Sequence, residues 1–241
     1  MTDTSMYVTL SRQTAVSREL DLVANNLANL STTGFKAERM LFDRALKQAG
    51  AADPVSFVID RATYTDHQAG GIVETSGDLD LAILGEGYFA IETPNGERYT
   101  RDGRFVVAPT GQLSALDGSP VLDQGNAPIQ IPEEATNITI ANDGSVNVDD
   151  VEVGRIGVYT FANEDVLVRD GASRFRADGA VPQAAEFPQL KQGALEASNV
   201  DPIREITRMI ELTRAFEQGA SMNSTVHDQK KTAVQRLGEV R

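Results

Sequence analysis

The 241-residue sequence contains no cysteine, which removes disulfides, thiolate metal sites and thiol catalysis together. It has no tryptophan and two histidines, His67 and His227. A two-histidine metal or catalytic site needs both rings adjacent in space, and nothing in their spacing joins them. Each reads as a solvated or interfacial side chain. Positive charge is short: 22 Lys and Arg stand against 35 Asp and Glu, a net charge of −13. Nucleic acids and anionic lipids are held through Lys and Arg, so this balance argues against both as partners. No apolar run approaches the roughly 18–20 residues that cross a bilayer, which argues against membrane insertion. The opening MTDTSMYVTLSRQ lacks a basic stretch followed by an apolar one, so no cleavable signal peptide is expected. Apolar residues make up 41% of the chain at a mean hydropathy of −0.26, enough for a core but lean.

Residues 1–33 also lack glycine and proline, and 16 of the 20 glycines fall between Gly70 and Gly193. Charge divides the same way. Residues 1–50 carry net +1, residues 51–193 net −14 and residues 194–241 net zero. Val16, Leu20, Val23, Leu27 and Leu30 recur in steps of four and three, a coiled-coil-like stripe on a helix over residues 4–30. Such a helix is about 40 Å long at ~1.5 Å per residue. Ser31-Thr32-Thr33-Gly34 stops it, Gly34 being suited to a positive φ. A second helix is expected over residues 202–237. Asp201 suits its N-cap and Pro202 its first position, where the missing N–H is unpaired in any case. Ile203, Ile206, Met209, Ile210 and Phe216 mark one face of it, and Gly219 weakens its middle by about 1 kcal/mol relative to Ala.

The centre reads as β. Asn95-Gly96, Asp102-Gly103, Asp117-Gly118, Asp143-Gly144, Asp170-Gly171 and Asp178-Gly179 punctuate short apolar runs at 79–84, 88–92, 104–107, 129–131, 137–140, 145–148 and 155–161. Such dipeptides between such runs are the strongest short hairpin signal. Residues 35–70 are ambiguous. Phe35 to Ala49 is compatible with helix and Val55 to Ile59 with a strand, and the stretch is assigned as a connecting extension. The expected architecture is α+β: an N-terminal helix over 1–33, an extension over 34–70, an acidic all-β domain of hairpins over 71–193, and a C-terminal helix over 194–241. The two long helices have narrow apolar stripes that want partner helices, in a coiled-coil-like layer around the β domain.

Chemistry finds little to work with. Gly85-Glu86-Gly87-Tyr88-Phe89-Ala90 spells G-x-G-x-x-A, but a strand follows instead of a helix and Glu86 would repel a pyrophosphate. It is assigned as strand-turn-strand. Asn142-Asp143-Gly144-Ser145 with Asn147, Asp149 and Asp150 lacks calcium-loop spacing and the closing Glu. Glu133-Glu134 and Asp149-Asp150 are sequence neighbours, which on a strand face opposite sides and make poor acid/base pairs. No P-loop or G-x-S-x-G occurs, and no catalytic residue, metal or cofactor is implied. Asn25, Asn26 and Asn29 admit two readings: a fraying helix end, or interhelical hydrogen bonds that fix register against a partner.

Ala24-Asn25-Asn26-Leu27-Ala28-Asn29 through Thr32-Thr33-Gly34-Phe35-Lys36 resembles the N-terminal signature of bacterial flagellar rod and hook proteins. Thr75-Ser76-Gly77-Asp78-Leu79-Asp80-Leu81-Ala82-Ile83, Gly85 to Phe89 and Tyr99-Thr100-Arg101-Asp102-Gly103-Arg104-Phe105 resemble that family's central motif. Gly193-Ala194-Leu195-Glu196-Ala197-Ser198-Asn199-Val200, with Met209 to Glu217, resembles its C-terminal motif. The length fits a rod protein, since hook proteins usually carry a larger inserted domain. Tyr7 to Gln13 looks most like the proximal-rod type, with the distal-rod type as the alternative. The resemblance implies a non-catalytic subunit exported without a cleaved signal, assembling axially in the basal body and transmitting torque. Its partners would be other rod and hook-family subunits and copies of itself. The residues expected to carry assembly are Val16, Leu20, Val23, Asn25, Asn26, Leu27, Asn29, Ile203, Ile206, Ile210 and Phe216. A secreted β-domain module for glycan or surface ligands is the reading from another class, and few aromatics with no tryptophan count against it. A hydrolase using central carboxylates is the third, with no arranged constellation behind it.

Overall fold

The computed structural model describes residues 2–47, 55–171 and 173–238, with the backbone alone for 2–9, 42–47, 55–62, 226–230, 233–234 and 236–238. The content is mixed: two helices and a β-rich body. The chain divides into two compact units.

The first unit contains helix α1 (Thr2–Ala28), strands β1 (Glu38–Lys47) and β2 (Val55–Thr65), and helix α2 (Pro202–Gly238). The Asp201 carboxylate accepts from the Ile203 and Arg204 amides at 3.0 and 3.2 Å, capping α2 ahead of Pro202 as the sequence leads one to expect. β1 and β2 pair antiparallel from Glu38↔Thr65 to Lys47↔Val55, with an irregularity between Leu41 and Phe42. Helix is therefore wrong for residues 38–47, while 48–49 lie outside the described residues. Glu38–Lys47 is good helix-forming material, but it faces a segment rich in β-branched and aromatic residues. Ladder bonds to that segment override a weak local preference.

The second unit comprises Asn29–Ala37 and Asp66–Val200. Its main sheet runs, edge to edge, Leu167–Arg169, Arg174–Ala177, Gly96–Thr100, Tyr88–Thr93, Val158–Thr160, Gln183–Ala184. Alternation along Tyr88–Thr93 sends Phe89 and Ile91 into one apolar cluster and Tyr88 and Ala90 into another, so both faces of that strand are buried. Phe89 meets Phe105 edge-on at 5.1 Å on one side, and Tyr99 meets Phe161 at 4.9 Å on the other. Asn95-Gly96, Asp143-Gly144 and Asp170-Gly171 each join neighbouring antiparallel strands, and their glycines take positive φ. Two expected strands differ. Residues 129–131 make only an isolated bridge, Gln112↔Gln130, though Ile129 and Ile131 are buried. The run 155–161 breaks between Arg155 and Val158, where Gly157 lies so close to the Asp123 carbonyl that a Cβ would sit 2.7 Å from its oxygen.

Candidate assembly surface

Among the described side chains of α2 the buried or half-buried positions are Glu205, Met209, Leu212, Ala215, Phe216, Gly219 and Asn223. Ala215 apart, they recur in steps of four and three. Leu212 and Glu205 are the buried members. On α1 the buried positions are Ala15, Val23 and Asn26, with Glu19 half-buried between them. Side chains of the two helices meet. The Arg208 guanidinium donates to Glu19 through Nε at 2.7 Å and a second nitrogen at 2.5 Å. Asn223 donates to the Gln13 side-chain oxygen at 3.0 Å. Asn26 donates to Glu205 at 3.4 Å.

Of the residues expected to carry assembly, Val23 is buried, and Val16, Leu20 and Leu27 lie half-buried on the flank of that face. Phe216 is half-buried. Ile203, Ile206 and Ile210 are 76%, 47% and 48% exposed. They form a second apolar stripe on α2, separate from the positions that are covered. The asparagines part company. Asn26 is buried, donating to the Glu38 carbonyl at 2.9 Å and accepting from the Glu38 amide at 3.0 Å. Its carboxamide completes backbone pairing at the start of β1. Asn25 is exposed, and Asn29 accepts from the Thr32 hydroxyl at 3.0 Å in the turn after α1. Sequence reasoning missed Leu212, Ala15 and Glu205. The signal for Leu212 was its place three beyond Met209 and four before Phe216.

A groove of about 590 Å3 opens between α1, α2 and the hairpin, with Val23, Arg39, Met40, Tyr64, Ile203 and Arg204 among its walls. Of the three exposed isoleucines, Ile203 is the one that lines it. Arg39 reaches Glu205 at 4.0 Å.

His67 is not solvated: its ring is nearly buried, with Nδ1 2.7 Å from the Tyr88 hydroxyl and the ring edge-on to Tyr88. Burial first, and then the neighbouring Lys36 cation, pull its pKa down to about 4. The His227 side chain lies outside the described residues. Asp149 and Asp150 both take positive φ, and Asp149 accepts from the Thr136 and Asn137 amides at 3.2 and 3.0 Å, which is a turn-forming role. Among the described residues no group of three or more His, Asp or Glu is arranged to hold a metal ion. Among them, too, no helix is long and apolar enough to cross a membrane.

Three family models match the chain. Residues 6–36 match "Flagella basal body rod protein", residues 82–148 the "Flagellar hook protein FlgE/F/G D1 domain", and residues 191–236 the "Flagellar basal body rod FlgEFG protein C-terminal". A Caulobacter vibrioides protein named flagellar basal-body rod protein FlgF is 41% identical over 243 residues, covering 99% of each chain. A Mesorhizobium japonicum protein of the same name is 39% identical, covering 97% of this chain and 98% of the relative. A Bacillus subtilis protein named flagellar basal-body rod protein FlgG is 34% identical, covering 92% and 94%.

Proposed function

Because the chain belongs to the flagellar basal-body rod protein family, we propose that it is a structural subunit of the rod, of the FlgF type, that assembles axially through its terminal helices. Its partners on this reading are neighbouring rod and hook-family subunits and further copies of itself. Rod location follows from the same names, and export without a cleaved signal belongs to the same proposal. The role is mechanical, with torque passed through packed helices in a coiled-coil-like layer.

The observation that carries the reading is the stripe Ile203, Ile206 and Ile210. Three large apolar side chains stand exposed on one helix face while a different face of that helix is covered. Burying each would contribute roughly 1.5–3 kcal/mol. An interface that repeats head to tail without closing makes a helical assembly. The FlgG type is the second reading, favoured by the Bacillus subtilis relative and less by identity.

The test is Ile206→Asp with Ile210→Asp in the full-length chain, expressed in flagellated cells lacking their own copy. The purified variant should keep its helix content and unfolding midpoint, because both side chains are already exposed. Basal bodies isolated from those cells should lack the subunit, and motility should be lost. Normal incorporation of the variant would overturn the assignment of this face.

A further inference from the structure

The β-rich unit contains a buried charge cluster that its apolar core does not require. Lys36, Glu196 and Arg101 have side chains 0%, 1% and 4% exposed. One Glu196 carboxylate oxygen accepts from the Lys36 ammonium at 2.7 Å and from the Gly70 amide at 2.9 Å. The other accepts from Arg101 at 3.0 Å. Lys36 also donates to the Gln68 carbonyl at 2.8 Å, and Arg101 to the Gly85 carbonyl at 2.7 Å. Arg169 donates to the Lys36 carbonyl and stacks over Phe35 at 4.7 Å.

These bonds gather three segments distant in sequence: 34–37, 66–70 and 196–199. They are the places where the chain leaves the unit after Ala37, returns at Asp66 and leaves again after Val200. Asn199 completes the gathering. Its carbonyl oxygen accepts from the Ala37 amide at 2.7 Å, and its amide nitrogen donates to the Asp66 and Gln68 carbonyls at 2.7 and 3.0 Å. Close approach tightens the crossing. A Cβ on Gly70 would lie 1.9 Å from the Ala197 carbonyl oxygen, and one on Gly34, at φ +66°, would lie 2.4 Å from the Arg101 carbonyl carbon.

Burying ions costs desolvation that their attraction repays only in one well-made geometry, and well-packed apolar side chains of similar volume are often equally stabilising or more so. The cluster is therefore poorly explained as a source of stability. Any other crossing of the three segments would strand a buried charge. We propose that the Lys36–Glu196–Arg101 cluster is a conformational lock: it specifies how the three segments cross, while the apolar clusters of the unit supply its stability.

Two full-length variants test the lock by urea unfolding and amide hydrogen exchange. In Lys36→Met/Arg101→Leu/Glu196→Leu no charge is stranded. Its unfolding midpoint should equal or exceed that of the parent. The amides of Asp66 and Gly70 should nevertheless exchange at least tenfold faster, with Tyr88–Thr93 unchanged. Glu196→Gln strands two cations and should lower the midpoint sharply. The proposal is overturned if the triple variant fails to fold or loses stability, since the charges would then be structural supports. It is equally overturned if Asp66 and Gly70 keep their protection in the triple variant, or if Glu196→Gln unfolds no more easily than the parent.

Discussion

His67 shows how a single position can be misjudged from its neighbours in sequence. Thr65-Asp66-His67-Gln68 is polar, yet the ring packs against Tyr88 and Phe175 at centroid distances of 6.2 and 5.5 Å. Lys36 and Arg169 lower its pKa further, and Asp165 and Asp66 oppose them. The folded chain thus holds this imidazole neutral down to about pH 4, whereas the unfolded chain protonates it near 6.5. The unfolded state binds more protons between those values. Stability from this residue is present above pH 6.5 and is lost as pH falls toward 4. Allowing for partial solvent screening, the loss is about 2 kcal/mol. His67→Gln should therefore flatten the fall in urea midpoint between pH 7 and pH 4.5. An unchanged pH slope would show that other groups carry it. Gly34 makes a similar point. Its positive φ matched expectation, but α1 has already ended at Ala28, and the position serves the close pass against Arg101 and Asp102.

At the scale of elements, α2 shows that the face marked by large apolar letters is not the face the chain itself covers. The covered positions 205, 209, 212, 216, 219 and 223, with 215 beside 216, keep a coiled-coil-like spacing, but they include a glutamate, a glycine and an asparagine. Ile203, Ile206 and Ile210 look more core-like and are exposed. Arg39 and Asn26 make Glu205 tolerable inside, since a buried carboxylate must find donors. Gly219 is a local weakness of the same helix, and a Cβ there meets nothing within 4 Å. Gly219→Ala should stabilise the helix by about 0.5–1 kcal/mol, seen as a higher thermal midpoint followed at 222 nm. A lower midpoint would overturn this reading and show that the folded chain itself has no room for a methyl group at this position.

At the scale of the molecule, the two units sharpen the division of charge. The β-rich unit contains 9 Lys and Arg against 22 Asp and Glu, net −13. The unit with both helices contains 13 of each, net zero. Near-neutral helices can pack side by side without like-charge repulsion, and a strongly acidic β-rich unit repels its own copies. Glu133, Glu134, Glu152 and Glu186 are exposed acids of that unit. Changing all four to Gln should lower the concentration at which the purified chain begins to aggregate, followed by light scattering at low salt. Unchanged solubility would leave the acidity without this role.

Much of the architecture was determined by the sequence alone, because it rests on local rules. The α2 cap at Asp201-Pro202, the hairpin turns at Asn95-Gly96, Asp143-Gly144 and Asp170-Gly171, and the helix–β–helix order depend on residues within a few positions of one another. Absent cysteine excluded a whole chemistry for the same reason: composition needs no folding. Tertiary structure decided the rest. It made residues 38–47 a strand by supplying β2 as partner, chose the Leu212 face of α2 over the isoleucine face, and drew Lys36, Arg101 and Glu196 together from distant parts of the chain. Those outcomes depend on which surfaces meet, and burial and desolvation act on the meeting of surfaces rather than on the order of letters.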